Sequence, residues 1–278
     1  MDNPVFPDSV GHPAPSCRFA FPADWREGVY QAIYRRRDVR RFRPDPVPPE
    51  ILTRVLDAAH HAPSVGFMQP WNFLIVTDRP TREQVQDLFE RERLAAAQFF
   101  DEPRRSQYLS FKLAGILEAP LNLCITCDPT RTGPAVIGRN SVPETDLYST
   151  CCAVENLWLA ARAEGLGVGW VSILKLPQLR AILGIPPHVV PVAYLCVGYP
   201  LEFAEQPELE TAGWLARRPL AGTIYYETWG RAADPDWPTL DHPTTQSSVS
   251  QDGTLEHLSI DSPAAASHLP KEAEAESH

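Results

Sequence analysis

The sequence predicts an α+β fold, a central, mostly antiparallel sheet flanked by helices, and three observations carry that reading. Helical segments outnumber strand segments and do not follow the strict βαβ alternation that a parallel sheet requires. The strand candidates are short apolar runs at 71–76, 121–127 and 190–198, with a further one at 170–174. Between two tails of different composition lies one stretch, residues 24–231, long enough for a substantial core. No internal repeat interrupts it.

The elements follow in order. Asp24 and Glu27 make a capping box for a first helix that runs to about Arg37. On such a helix Arg36 and Arg40 are four apart and share one face, with Arg37 beside them. Guanidinium groups so placed can hold a phosphate dianion through forked, charge-assisted hydrogen bonds. A surface ion-pair network rich in arginine would look the same. Asp38 lies inside the cluster, and a carboxylate has the wrong sign for binding phosphate, so it asks for another job.

A second helix over 49–61 sets Ile51, Leu52, Val55, Leu56 and Ala59 on one face and is stopped by Pro63. The string APSVGFMQPW comes next. Ser64 supplies a hydroxyl, Gly66 a backbone that can approach closely, and Gln69 an amide that both donates and accepts. These groups suit the alternating carbonyls and nitrogens of a flavin ring edge, although a tight turn into strand 71–76 would also use the Pro and Gly. Helices are then expected over 82–100, opened by a Thr81/Gln84 capping box, and over 105–118. A long apolar helix covers 146–164 and ends at Gly165.

Gly165, Gly167 and Gly169 form GxGxG after a helix, not the GxGxxG that opens one, so no dinucleotide fold is indicated. Glycine weakens a strand unless something lies against it. An isoalloxazine ring is the candidate for what lies against Gly167 and Gly169.

Composition bounds the function classes. Residues 232–278 hold nine acidic side chains and one lysine, which accounts for eight of the net charge of −10. Few apolar side chains accompany them, so a disordered acidic tail is expected, with a docking arm as the alternative. Residues 1–23 are rich in proline, lack the features of a signal peptide and are expected to be flexible. No apolar run approaches the ~20 residues of a membrane span, and nothing basic or aromatic enough points to nucleic acid. A cytoplasmic protein is expected. The six cysteines fall mostly in apolar segments. Cys124 and Cys127 form CxxC, but on a strand that points them to opposite faces, and no second ligand pair for a metal appears. His60 or His61 can reach a ligand at the turn that follows, or can simply sit against the carbonyls at the helix end.

The combination RRDVR, APSVGFMQPW, CDPTR with DLYST, AARAEGLGVGWVSI, AILGIP and a late ETWG resembles the BluB family of 5,6-dimethylbenzimidazole synthases, in the nitroreductase-like flavoprotein superfamily, over roughly residues 24–230. The resemblance implies that reduced FMN is the substrate, with O2 as co-substrate, and that the flavin is cut to 5,6-dimethylbenzimidazole, the lower ligand of cobalamin, and erythrose 4-phosphate. It assigns catalysis to Asp38 and Ser172, and flavin binding to Arg36, Arg37, Val39, Arg40, Ser64, Gly66, Gln69, Gly167 and Gly169, with Arg217 of GWLARRPL completing the phosphate clamp. It also implies a homodimer with the flavin near the interface, and a separate NAD(P)H-dependent flavin reductase as the source of reduced FMN. Asp38 suits a general base that later returns the proton. Ser172 suits a hydrogen-bonding role, since no His and Asp pattern accompanies it for a triad. The alternative on this fold is a nitroreductase or flavin reductase that recycles its FMN.

Overall fold

The computed structural model describes residues 19–231. The tail at 232–278, Cys17 and most of segment 1–23 lie outside the described residues. The chain divides into two units, Met1–Arg217 and Arg218–His278. The described part of the second, residues 218–231, is a 3-10 turn, Leu220–Thr223, followed by a pair of rings, Tyr225 and Trp229, with centroids 4.9 Å apart.

In the first unit α1 (Ala23–Arg35), α2 (Pro49–His60), β1 (Trp71–Val76), α3 (Arg79–Ala97), α4 (Arg104–Ser110), β2 (Leu121–Cys127), α5 (Thr145–Ala163), β3 (Gly167–Trp170), α6 (Leu176–Leu183), β4 (Val190–Gly198) and α7 (Glu208–Thr211) follow in order. The strands form one sheet in the order β1-β2-β4-β3, and every neighbouring pair is antiparallel. Trp71 faces Cys127, Leu121 faces Val197, and Trp170 faces Leu195. The expected mostly antiparallel sheet is what forms.

Strand period explains the layers. Leu121, Leu123 and Ile125 of β2 and Ala193, Leu195 and Val197 of β4 pack on one face with Val55 and Ala59 of α2 and Ala153, Leu157 and Ala161 of α5. Cys124, Tyr194 and Cys196 turn the other way, toward Val85, Leu88 and Phe89 of α3 and Leu179 of α6. Both faces are therefore covered by helices, which is why β2 is buried along its whole length.

Several expected boundaries move. The cap of α3 is Asp78, which accepts from the Thr81 N–H at 2.9 Å and from the Thr81 hydroxyl at 2.6 Å, so the Thr81/Gln84 box is not used. Asp24 lies in the first turn of α1, whose N-cap is Pro22 with no side-chain cap. The helix expected over 105–118 ends at Ser110. From the end of α4 onward, main-chain carbonyls are taken by two arginines. Arg93 Nη2 binds Leu109 O at 2.5 Å and Phe111 O at 3.2 Å. Buried Arg82 donates to Leu117 O at 3.1 Å, Ala119 O at 2.9 Å and Pro120 O at 3.0 Å. Among the described residues no helix is long and apolar enough to cross a membrane.

Candidate active site

Arg36 ends α1 with extended angles, φ −62° and ψ 136°. From there the chain runs alongside β3: the Val39 N–H donates to Val168 O at 2.9 Å, and Asp38 bridges Val168 in the parallel sense. This close approach explains the glycines. A Cβ on Gly169 would stand 2.1 Å from Val39 O and 2.6 Å from Arg40 Nη1, and one on Gly167 would stand 2.8 Å from a Val39 methyl. What occupies the space of their missing side chains is the chain's own segment 39–40, and Val39 itself is buried in the core.

Asp38 is held from two sides. Arg40 Nη1 and Nη2 grip its two carboxylate oxygens, and the Trp170 N–H donates to Oδ1 at 2.9 Å. Arg40 Nη2 also donates to Trp170 O at 3.0 Å. The Arg40 side chain is 10% exposed and that of Asp38 45%, so the cation is enclosed and the carboxylate is presented outward. Ser172, two residues beyond Trp170 on the same edge, is exposed as well.

The helical clamp expected from Arg36 and Arg40 does not form, because α1 stops before Arg36 and an extended chain separates them. Arg36 stacks over Trp158, 4.6 Å from the ring centroid, and lies 4.0 Å from Glu155. Arg37 donates to Tyr34 O at 2.8 Å, to Arg36 O at 2.7 Å and to Glu205 O. Its pKa is drawn down first by burial and then by the charges of Arg36, Arg217 and Arg162. A cluster of cations therefore does assemble, by tertiary contact and not along one helix face. Arg162 was not expected there, since a cation in the last turn of an apolar helix reads as a partner of the helix dipole. Its Nε donates to Arg35 O at 3.1 Å and its guanidinium lies 4.0 Å from the centre of the Phe203 ring.

The second group lies elsewhere. Val65–Phe67 is a 3-10 turn, and Gly66, Phe67 and Gln69 all have positive φ, 52°, 55° and 49°. The Ser64 hydroxyl accepts from the Gln69 N–H at 3.1 Å and that of Ser149, on α5, from the Val65 N–H at 3.0 Å. This turn feeds β1, whereas Asp38 bridges β3 from outside the sheet, and those strands are the two edges of the sheet. Three strand spacings across, and five residues along β4 between the levels of Cys127 and Trp170, separate the two groups by roughly 20 Å. A cavity of about 440 Å³ between α3 and residues 110–118, and another of about 320 Å³ beside His188, contain none of these side chains.

Other polar candidates have structural partners. The Trp71 indole donates to His60 Nδ1 at 3.1 Å, and His61 Nδ1 lies 2.8 Å from Asp57 O. Burial pushes the Cys124 and Cys196 thiols up to about 12 and that of Cys127 up to about 11.

The nitroreductase family model matches residues 33–199. The chain is 45% identical over 199 residues to 5,6-dimethylbenzimidazole synthase of Rhodospirillum rubrum, covering 72% of this chain and 94% of the relative. It is 38% identical over 202 residues to the enzyme of the same name from Rhodobacter capsulatus, covering 72% and 96%. Among solved structures, oxidized iodotyrosine deiodinase bound to FMN and 3-iodo-L-tyrosine superposes with a TM-score of 0.54 at 26% identity, over 63% of this chain and 91% of that one. An antiparallel sheet between helices, matched by the family model from Ile33 to Tyr199, and identity that spans nearly the whole of both synthases together establish that this chain belongs to the nitroreductase family, in its 5,6-dimethylbenzimidazole synthase branch.

Proposed function

We propose that this protein consumes reduced FMN as its substrate, with O2 as co-substrate, and releases 5,6-dimethylbenzimidazole and erythrose 4-phosphate. The observation that carries the reading is the Asp38 carboxylate, presented outward beside a cluster of arginines. A reductase that recycles its flavin has no need of a base there.

The residues fit a phosphorylated flavin. Arg37 Nε is buried and without a hydrogen-bond partner, and burial first, then the like charges around it, depress its pKa. Both features are what a phosphate dianion would relieve. Reduced flavin supplies the electrons for O2 and the carbon skeleton of the product. Of the Asp38 oxygens, Oδ1 accepts from Trp170 and Arg40 and Oδ2 from Arg40 alone. Oδ2 is thus the oxygen open to take a proton from the ribityl chain or ring and to return it. Ser172 is the hydrogen-bonding group on the same edge, for a ribityl hydroxyl or a developing charge.

A homodimer belongs to this proposal. The Asp38 group and the Ser64–Gln69 group stand too far apart in one chain to touch one ring edge, and a second copy would bring each beside the other's counterpart. On α1, Trp25, Val29 and Ile33 recur at helical spacing and are 63%, 51% and 41% exposed, an apolar stripe suited to that interface. Reduced FMN would come from a separate NAD(P)H-dependent flavin reductase in the cytoplasm.

The test is anaerobic loading with chemically reduced FMN, admission of air, and chromatography with mass detection. Loss of FMN matched by 5,6-dimethylbenzimidazole supports the proposal. FMN recovered intact and merely reoxidised would refute it in favour of a reductase.

A further inference from the structure

We infer that Arg131, about sixty residues away in sequence, is the positioning residue for the Ser64–Gln69 half of the site; the inference rests on the reading that this turn faces the flavin. A turn in which Gly66, Phe67 and Gln69 all take positive φ persists only where its surroundings hold it, because the last two residues carry a Cβ. Arg131 supplies that hold. Its Nη1 donates to Gln69 O at 2.7 Å and to Trp71 O at 2.9 Å, and its Nη2 donates to the side chain of Asn72. One planar guanidinium thus ties the last residue of the turn to the first two residues of β1, and a single-point ammonium could not bridge all three acceptors.

The base of Arg131 is fixed in turn. Asp128 Oδ1 accepts from the Thr130 N–H at 2.9 Å and from its hydroxyl at 2.6 Å, and the Asp128 N–H donates to Pro70 O at 2.7 Å. The CDPTR string is therefore a bracket built around the turn. Arg131 acts only through main-chain carbonyls and Asn72, which leaves the Gln69 amide for a ligand apart from a long, 3.4 Å contact with Phe67 O.

The experiment compares Arg131→Met, Arg131→Lys and Gln69→Ala in the full chain. FMN and riboflavin affinities are read from flavin fluorescence, KM and kcat from turnover of reduced FMN, and folding from thermal melts. Arg131→Met is expected to weaken FMN and riboflavin equally, by about tenfold, the worth of about one lost hydrogen bond to the ring edge. The loss should fall mainly on KM, and Arg131→Lys should lie between. A purely structural role would lower the melting temperature and leave the affinity of the folded protein unchanged. Folded Arg131→Met with wild-type affinity, while Gln69→Ala binds weakly, overturns the inference. Wild-type affinity in Gln69→Ala removes the reading of the turn and the inference with it. Should Arg131→Met not fold, Arg131→Lys with undiminished affinity is the overturning result.

Discussion

Arg40 and Asp38 close a ring with Trp170: the guanidinium grips both carboxylate oxygens and donates to Trp170 O, while the Trp170 N–H returns to Asp38 Oδ1. The carboxylate is oriented by the end of β3 and by an arginine whose side chain is nearly enclosed, so its position does not depend on a flexible loop. Asp38→Asn keeps an oxygen for the Trp170 N–H and removes the proton acceptor. It is expected to bind reduced FMN normally and to make 5,6-dimethylbenzimidazole about 10²- to 10⁴-fold more slowly. Single-turnover yields after admission of air measure this, and undiminished product would remove Asp38 from the mechanism.

Gly169→Ala should disturb the same ring from behind. The new methyl would overlap Val39 O, a backbone atom that cannot swing aside, and Arg40 Nη1. Overpacking of this kind costs typically about 1–3 kcal/mol. Urea titration should show that loss, and product formation should fall with it because segment 38–40 is pushed off β3. A variant as stable and active as the parent would mean that this approach is looser than it looks.

Three strands and the α2 helix were legible in the sequence because their signals are local: apolar runs of strand length, one apolar helix face, and Pro63 as a stop; the fourth strand, expected over 170–174, instead forms over Gly167–Trp170 and shares only Trp170 with that run. The end of α1 was not. Arg36 and Arg37 are good helix formers, and nothing nearby in sequence announces that the Val168 carbonyl will take the Val39 N–H or that Trp158 will receive Arg36. The glycines at 167 and 169 signalled a close approach, and segment 39–40, about 130 residues away in the chain, fills the space of their missing side chains. The helix α6 passed unmarked, although Pro177 in its first turn and Gly184 in the left-handed region at its end are ordinary boundary signals. Residue types at the site were readable, whereas their partners, Arg131 for Gln69 and Arg162 for Arg37, belong to tertiary structure.

The buried thiols predict an alkaline limit to stability. Burial raises Cys124 and Cys196 from an ordinary thiol value of 9.0 to about 12, and Cys127 to about 11. In that window the folded chain keeps protons that the unfolded chain gives up, so stability is fully present below about pH 9 and is lost as pH rises toward 11–12. Urea midpoints between pH 8 and pH 10.5 should fall, and replacing Cys124 by Ala should flatten the slope. At pH 8 iodoacetamide should label the exposed Cys151 and Cys152 and spare these three.

The arginine cluster separates phosphate recognition from ring recognition. Arg217 is exposed, and behind burial and Arg36 its charge adds to what lowers the pKa of Arg37, so in the absence of an anion the two repel. Arg217→Ala should therefore leave the melting temperature of the flavin-free protein unchanged or slightly higher. Binding should respond in the opposite direction. A guanidinium that reaches the phosphate contributes through a hydrogen bond between charged groups, on the order of 1.5–3 kcal/mol, with solvent exposure setting the lower end. FMN affinity should fall about tenfold, and more steeply at low salt, while riboflavin, which lacks the phosphate, should bind Arg217→Ala and the parent alike. Equal losses for FMN and riboflavin would place Arg217 away from the phosphate, and the clamp would then reduce to Arg36, Arg37 and Arg162.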